Sequence, residues 1–245
     1  MGLELRLSLE SLKEDFYLCF IEEERWRYLT SGLVNTLQIT LFAVLLGIAI
    51  GVVVAIVRST HDKTIEETHG IGRFFLKLAN WLCRLYLTVI RGTPVVVQLM
   101  IMYYIIFASS RNGVAVATLA FGVNSGAYVA EIFRAGIMAI DNGQFEAGRS
   151  LGFNYVQTMR YIIIPQAFKA VLPSLANEFI VLLKETSVAG YVTVRDLTMG
   201  GNIIRSVTYK AFMPLLAVAA IYLVMVIFFT YLVGKLERRL RNSER

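Results

Sequence analysis

The chain has 245 residues, of which 56% are hydrophobic and 17% charged, against about 25% charged in ordinary soluble domains. That balance excludes a soluble enzyme and requires a bilayer as the solvent. The net charge of +6 comes from lysine and arginine at the ends of apolar runs and not from one soluble face, which excludes a nucleic-acid partner.

In chain order, Glu10, Glu14, Asp15 and the run Glu22 to Glu24 precede any long apolar stretch. A signal peptide opens on a basic region followed at once by an apolar one, so residues 1–32 are expected to form an external N-terminal segment. Leu33 to Val57 carries no charge and exceeds the roughly 20 residues a helix needs to cross a bilayer. The linker that follows holds His61 and His69 among acids, a solvated turn and not a metal site. It leads into "IGRFFLKLANWLCRLYL", whose pattern suits a helix lying on the membrane surface ahead of the second span. Cys19 and Cys83 fit no metal or disulfide spacing.

Further spans are expected at about 84–109, 112–134, 170–191 and 211–234, giving an all-α membrane protein of about five helices. The fourth is unusual, with Pro173, Glu178, Lys184 and Glu185 inside an apolar pattern. The tail 235–245 is the strongest basic cluster, which places it in the cytoplasm and, after five crossings, the N-terminus outside. The segment 193–210 then faces outward, and its detail is not readable.

Between spans three and four lies the polar stretch 141–165. Asp141 with Gln144, and Asn154 with Gln157, have the spacing of capping boxes, and Gly152 suits the left-handed residue that closes a helix. A stripe of Tyr155, Val156, Met159, Ile162 and Ile163 is expected to lie on the membrane surface until Pro165 ends it. Gly47 to Gly51 and Gly122 to Gly126 are small-x3-small pairs, open to a dimer interface or to packing within one chain.

Glu146, Ala147, Gly148, Gly152, Ile162 and Ile164-Pro165 resemble the EAA-x3-G-x9-I-x-LP motif of permease subunits of bacterial ABC importers. Gly148 stands for the usual alanine and Ile164 for leucine, so Gly148→Ala is expected to be tolerated. The resemblance extends through "RGTPVVVQL", "GAYVAEIFRAGI", "LPSLANEFIVLLKETSV" and "LERRL" to the polar amino acid subfamily. It implies that Glu146, Ala147, Gly148, Arg149, Leu151 and Gly152 form a cytoplasmic coupling helix for a separate ATPase dimer, where ATP and magnesium bind. It also implies a second permease, identical or homologous, an extracytoplasmic substrate-binding protein and a polar amino acid as cargo, in the bacterial inner membrane. The chain itself has no G-x-x-x-x-G-K-[ST] phosphate loop, so no cofactor and no catalytic or metal-binding residue is expected in it.

Ionisable groups inside spans mark pathways or internal pairs. Asn124, Tyr128 and Glu131 share one helical face, and Asn177 and Glu178 lie a turn beyond Pro173. With Arg91, these six are the candidate substrate contacts, the carboxylates and amides for an α-ammonium and the guanidinium for an α-carboxylate. Arg91 and Glu131 are equally open to a bland reading as groups snorkelling from span ends. A membrane scaffold that docks a cytoplasmic protein through the same loop is the alternative function.

Overall fold

The computed structural model describes residues 10–242, and every described element is helical. The first nine residues of the expected external segment, and the last three of the tail, lie outside the described residues.

Helix α1, Trp26–Thr64, is the first span and contains the uncharged run found in the sequence. Apolar solvent leaves backbone groups no partner but their own helix, so a run of this kind is helical throughout. Its buried face is built from small residues, Thr36, Thr40, Ala43, Gly47, Gly51 and Ala55, which let it lie close against α4, Gly113–Ala139. A β-carbon added at Gly47 would stand 2.9 Å from Ser125 Oγ, and one at Gly51 would stand 2.5 Å from Val129 Cγ1. Gly122 and Gly126 return the contact against Leu46 and Ile50. Both small-x3-small pairs therefore serve contact between helices of this chain, the second of the two readings that the sequence left open.

The expected second span, 84–109, is broken within its length. Helix α2, Gly70–Gly92, is amphipathic along its whole length and ends where Thr93 and Pro94 are extended. Proline offers no amide and pushes the residue before it out of the helical region. Helix α3, Val95–Ile101, continues through a wide turn, Met102–Ile106, and this segment is bent by 109° from α2. The amide of Gln98 bridges the break, its Nε2 donating to Ile90 O at 2.7 Å, Thr93 O at 3.0 Å and Thr93 Oγ1 at 2.8 Å. Carbonyls freed by the bend are satisfied in this way inside an apolar medium.

After α4 come the short helices α5, Asn142–Ser150, and α6, Tyr155–Thr158. Pro165 does not end the helix that α6 begins. A wide turn over Met159–Ile163 leads directly into α7, Ile164–Glu185, where Pro165 sits in the first turn and its missing amide is harmless. The helical path continues through the tight turn Thr186–Val192. The stripe of Met159, Ile162 and Ile163 packs on Ile137 and Ile140 of the α4 end and not on a membrane surface, while Val156 is exposed.

The segment 193–210 is ordered. Asp196 caps α8, Leu197–Thr208, accepting from Met199 N at 3.0 Å and Thr198 N at 3.2 Å. Its loop is pinned to α1, with Leu197 N donating to Thr36 Oγ1 at 3.1 Å and Asn35 Nδ2 to Arg195 O at 2.8 Å. Helix α9, Phe212–Asn242, is the last span and runs straight on into the basic tail, which the sequence reading set apart at residue 235. The described chain thus has four helices long and apolar enough to cross a membrane, or five with the bent pair.

Candidate functional site

Two places carry polar chemistry. The first is the loop between α4 and α7. Asp141 opens α5 by accepting from Gly143 N at 2.6 Å, while the backbone amide of Gln144 goes to Asp141 O, so this end has a side-chain cap but not the expected box. The other end closes fully: Gly152 has φ +80°, its amide donates to Arg149 O at 2.9 Å, and Phe153 N donates to Gly148 O at 3.0 Å. That paired bonding is a Schellman closure with glycine in its left-handed position. Asn154 and Gln157 then form a complete capping box at the start of α6.

Gly148 is buried where α5 crosses α6. A β-carbon there would come 2.7 Å from Thr158 Oγ1 and 2.8 Å from Thr158 Cγ2, so the expectation that alanine is tolerated is overturned. Phe145 anchors the inner face of α5 among Ile137, Met159 and Ile163, with the Lys63 ammonium 3.8 Å from its ring centroid. The outer face presents Glu146, Ala147, Arg149, Leu151 and Gly152 to solvent, Leu151 with 71% of its surface exposed. An open groove beside it is lined by Lys63, Glu67, Glu146, Arg149 and Phe153. The result is a rigid, charged knob with one apolar tip.

The second place lies within the spans, and there the six candidates do not converge. Glu178 is buried between α7 and α4, accepting from Ser125 Oγ at 2.9 Å, while its neighbour Asn177 is exposed. Asn124 Nδ2 donates to Gln98 Oε1 at 3.0 Å, which ties α4 to the break between α2 and α3. Glu131 is held by Arg58 at 2.8 Å and lies 3.6 Å from Arg91, whose guanidinium carbon is 5.8 Å from the Tyr128 ring centroid. The structure therefore forms three groups: Glu178 with Ser125, Asn124 with Gln98, and Glu131 with two arginines beside Tyr128. Gln98, Ser125 and Arg58 were not singled out from sequence. Gln98 had a signal, as an amide four residues after a proline in an apolar run.

Comparison with known proteins places these features. Residues 70–242 match the family described as binding-protein-dependent transport system inner membrane component. The chain is 33% identical over 216 residues to the putative glutamine transport system permease protein GlnP of Rickettsia conorii, covering 87% of this chain and 93% of that one. It is 33% identical over 221 residues to the arginine transport system permease protein ArtQ of Bacillus subtilis, covering 89% and 94%. A crystal structure of an amino acid ABC transporter with histidines superposes with a TM-score of 0.76 at 41% identity, over 90% of this chain and 98% of that one. This chain belongs to the inner membrane component family of binding-protein-dependent transport systems.

Proposed function

We propose that this chain is the translocation subunit of an importer for polar amino acids, driven by ATP hydrolysis on a separate cytoplasmic subunit. The observation that supports this most is the knob at α5. It is braced from inside by Phe145 and Lys63, closed by a glycine with positive φ, and carries its charged and apolar contacts outward. A surface meant only to be solvated has no use for that rigidity. The proposed arrangement puts the knob and the tail of α9 in the cytoplasm, the N-terminus and α8 outside, and pairs the chain with a second permease. A binding protein delivers the amino acid to the α8 side.

Within the spans, the carboxylate of Glu178 is the proposed contact for the α-ammonium group, with Asn124, Asn177 and Tyr128 at the margin of the pathway. A buried carboxylate already holding a hydroxyl can exchange that bond for a charge-assisted one when an ammonium arrives. Arg91 and Glu131 are proposed as a brace held with Arg58. A docking scaffold would need neither a span broken at Pro94 nor a buried carboxylate.

The test is uptake by liposomes containing this chain, its ATPase and its binding protein, with labelled glutamine, arginine and histidine. ATP-dependent accumulation of at least one is expected. ATPase binding with no uptake of any would support the scaffold. A cysteine at Ser109 should react with an impermeant thiol reagent added outside and one at Ser150 should not; the reverse would overturn the orientation.

A further inference from the structure

A second open groove lies at the C-terminal end of α2, lined by Arg58, Arg84, Leu87, Thr88, Arg91, Gly92 and Glu131. Three guanidiniums share it with one carboxylate, and two of them compete for the same Glu131 oxygen, at 2.8 Å and 3.6 Å. The Arg58 side chain is 13% exposed, and its Nε is buried without a hydrogen-bond partner. The groove therefore keeps a surplus of positive charge. Planar guanidiniums with a neighbouring hydroxyl suit a tetrahedral oxyanion.

Position narrows what that anion is. Arg58 directly follows the uncharged run Leu33 to Val57. At 1.5 Å per residue that run spans about 37 Å, more than a hydrocarbon core of about 30 Å, so Arg58 stands at headgroup level. Helix α2 beside it exposes Phe74, Phe75, Leu78, Trp81, Leu82 and Leu85 along one face. Arg73, Lys77, Arg84 and Arg91 recur at the spacing of another face. A helix bent by 109° from its continuation, with an aromatic apolar stripe and a basic side, has the character of one lying in the membrane interface.

We propose that this groove binds the phosphate of an anionic phospholipid, whose acyl chains lie along the apolar face of α2. Neither Asn124 nor Glu178 lines the groove, and the site depends on the chain being in a membrane and not on the identity of any transported solute. The lipid holds together two guanidiniums that would otherwise repel across Glu131, so it fixes the end of α2 at the break before α3.

The experiment uses the complex with its ATPase, stripped of lipid in detergent, and native mass spectrometry with added phosphatidylglycerol or phosphatidylcholine. Saturable retention of phosphatidylglycerol over phosphatidylcholine is expected. Arg84 is exposed, so Arg84→Gln should leave assembly intact and weaken phosphatidylglycerol retention about fivefold, while Arg84→Lys keeps most of it. Equal retention of both lipids, or no change in Arg84→Gln, overturns the proposal. Displacement by millimolar inorganic phosphate would make this a site for a free anion, and displacement by amino acid would make it a carboxylate site; either overturns the lipid assignment.

Discussion

The amide of Phe153 reaches back to the carbonyl of Gly148 at 3.0 Å, closing the knob over a residue with φ +80°. Nothing stands within 4 Å of a β-carbon at Gly152, so the cost of that carbon is backbone strain and not a clash. That strain is about 1 kcal/mol, and more for a branched residue. Gly152→Val should insert and fold its spans normally, yet either lose the ATPase during purification or keep it with substrate no longer stimulating hydrolysis. Gly152→Asn, which tolerates the left-handed region, should lie between valine and wild type. Wild-type transport in the valine variant, with normal coupling, would sink the assignment of this loop.

Gly148 fails for the opposite reason, lack of space. Gly148→Ala forces its methyl against Thr158, whose β-branched side chain cannot turn away with both Oγ1 and Cγ2 near. The expected cost is about 1–3 kcal/mol, read as a lower thermal midpoint of the complex. Thr158→Ala in the same chain should recover most of it. A double-mutant cycle with no coupling would show that α5 and α6 do not pack here.

Glu178→Gln keeps one oxygen as an acceptor for Ser125 Oγ, removes the charge and turns the other oxygen into a donor amide. Assembly should be unchanged while the substrate concentration for half-maximal uptake rises roughly ten- to a hundredfold, the loss of one charge-assisted hydrogen bond of about 1.5–3 kcal/mol. An unchanged concentration dependence with poor assembly would make Glu178 a packing residue.

Burial pushes the Asp196 carboxyl up to about 6 from an ordinary 3.8, despite the two amides of Thr198 and Met199 that favour its charge. A folded-state pKa above the unfolded one means the native form binds the proton more tightly. The contribution of this group to stability is then fully present below about pH 4, is lost as pH rises toward about 6, and is level above it. Amides of α8 should show higher protection from hydrogen exchange at pH 5 than at pH 7.5. Asp196→Asn can still cap the helix but cannot ionise, so it should remove the difference and gain on the order of 2 kcal/mol at neutral pH. A pH dependence that persists in the asparagine variant would place its source elsewhere.

Span number and the capped loop were legible because they rest on local signals: uncharged runs, Asp141 and Asn154 as caps, Gly152 as a stop. What depends on contact was not. Gly47 and Gly122 look alike in any membrane helix, and only Ser125 and Leu46 opposite them show which neighbour they admit. Thr158, ten residues after Gly148, gives no local sign that it fills the space an alanine would need. Pro94 was visible, but the bend became specific through Gln98, whose three acceptors belong to the turn the proline creates. Pro165 was read as a stop because the wide turn before it, where Ile164 N donates to Met159 O, cannot be seen in sequence.

That uninterrupted passage through Pro165 has a mechanical consequence. From Tyr155, next to the Asn154 cap, to Val192, next to the loop that Asp196 anchors, the helical path is one rod of 38 residues. At 1.5 Å per residue it is about 57 Å long, so a tilt of about 10° at its foot displaces the far end by roughly 10 Å. The rod yields most readily at two joints, the wide turn at Met159–Ile163 and Pro173, and Glu178 sits a little over one turn past the second. Glu178, holding Ser125 Oγ at 2.9 Å, therefore lies on the part of the rod whose direction both joints set, and not on a stretch fixed by the knob alone.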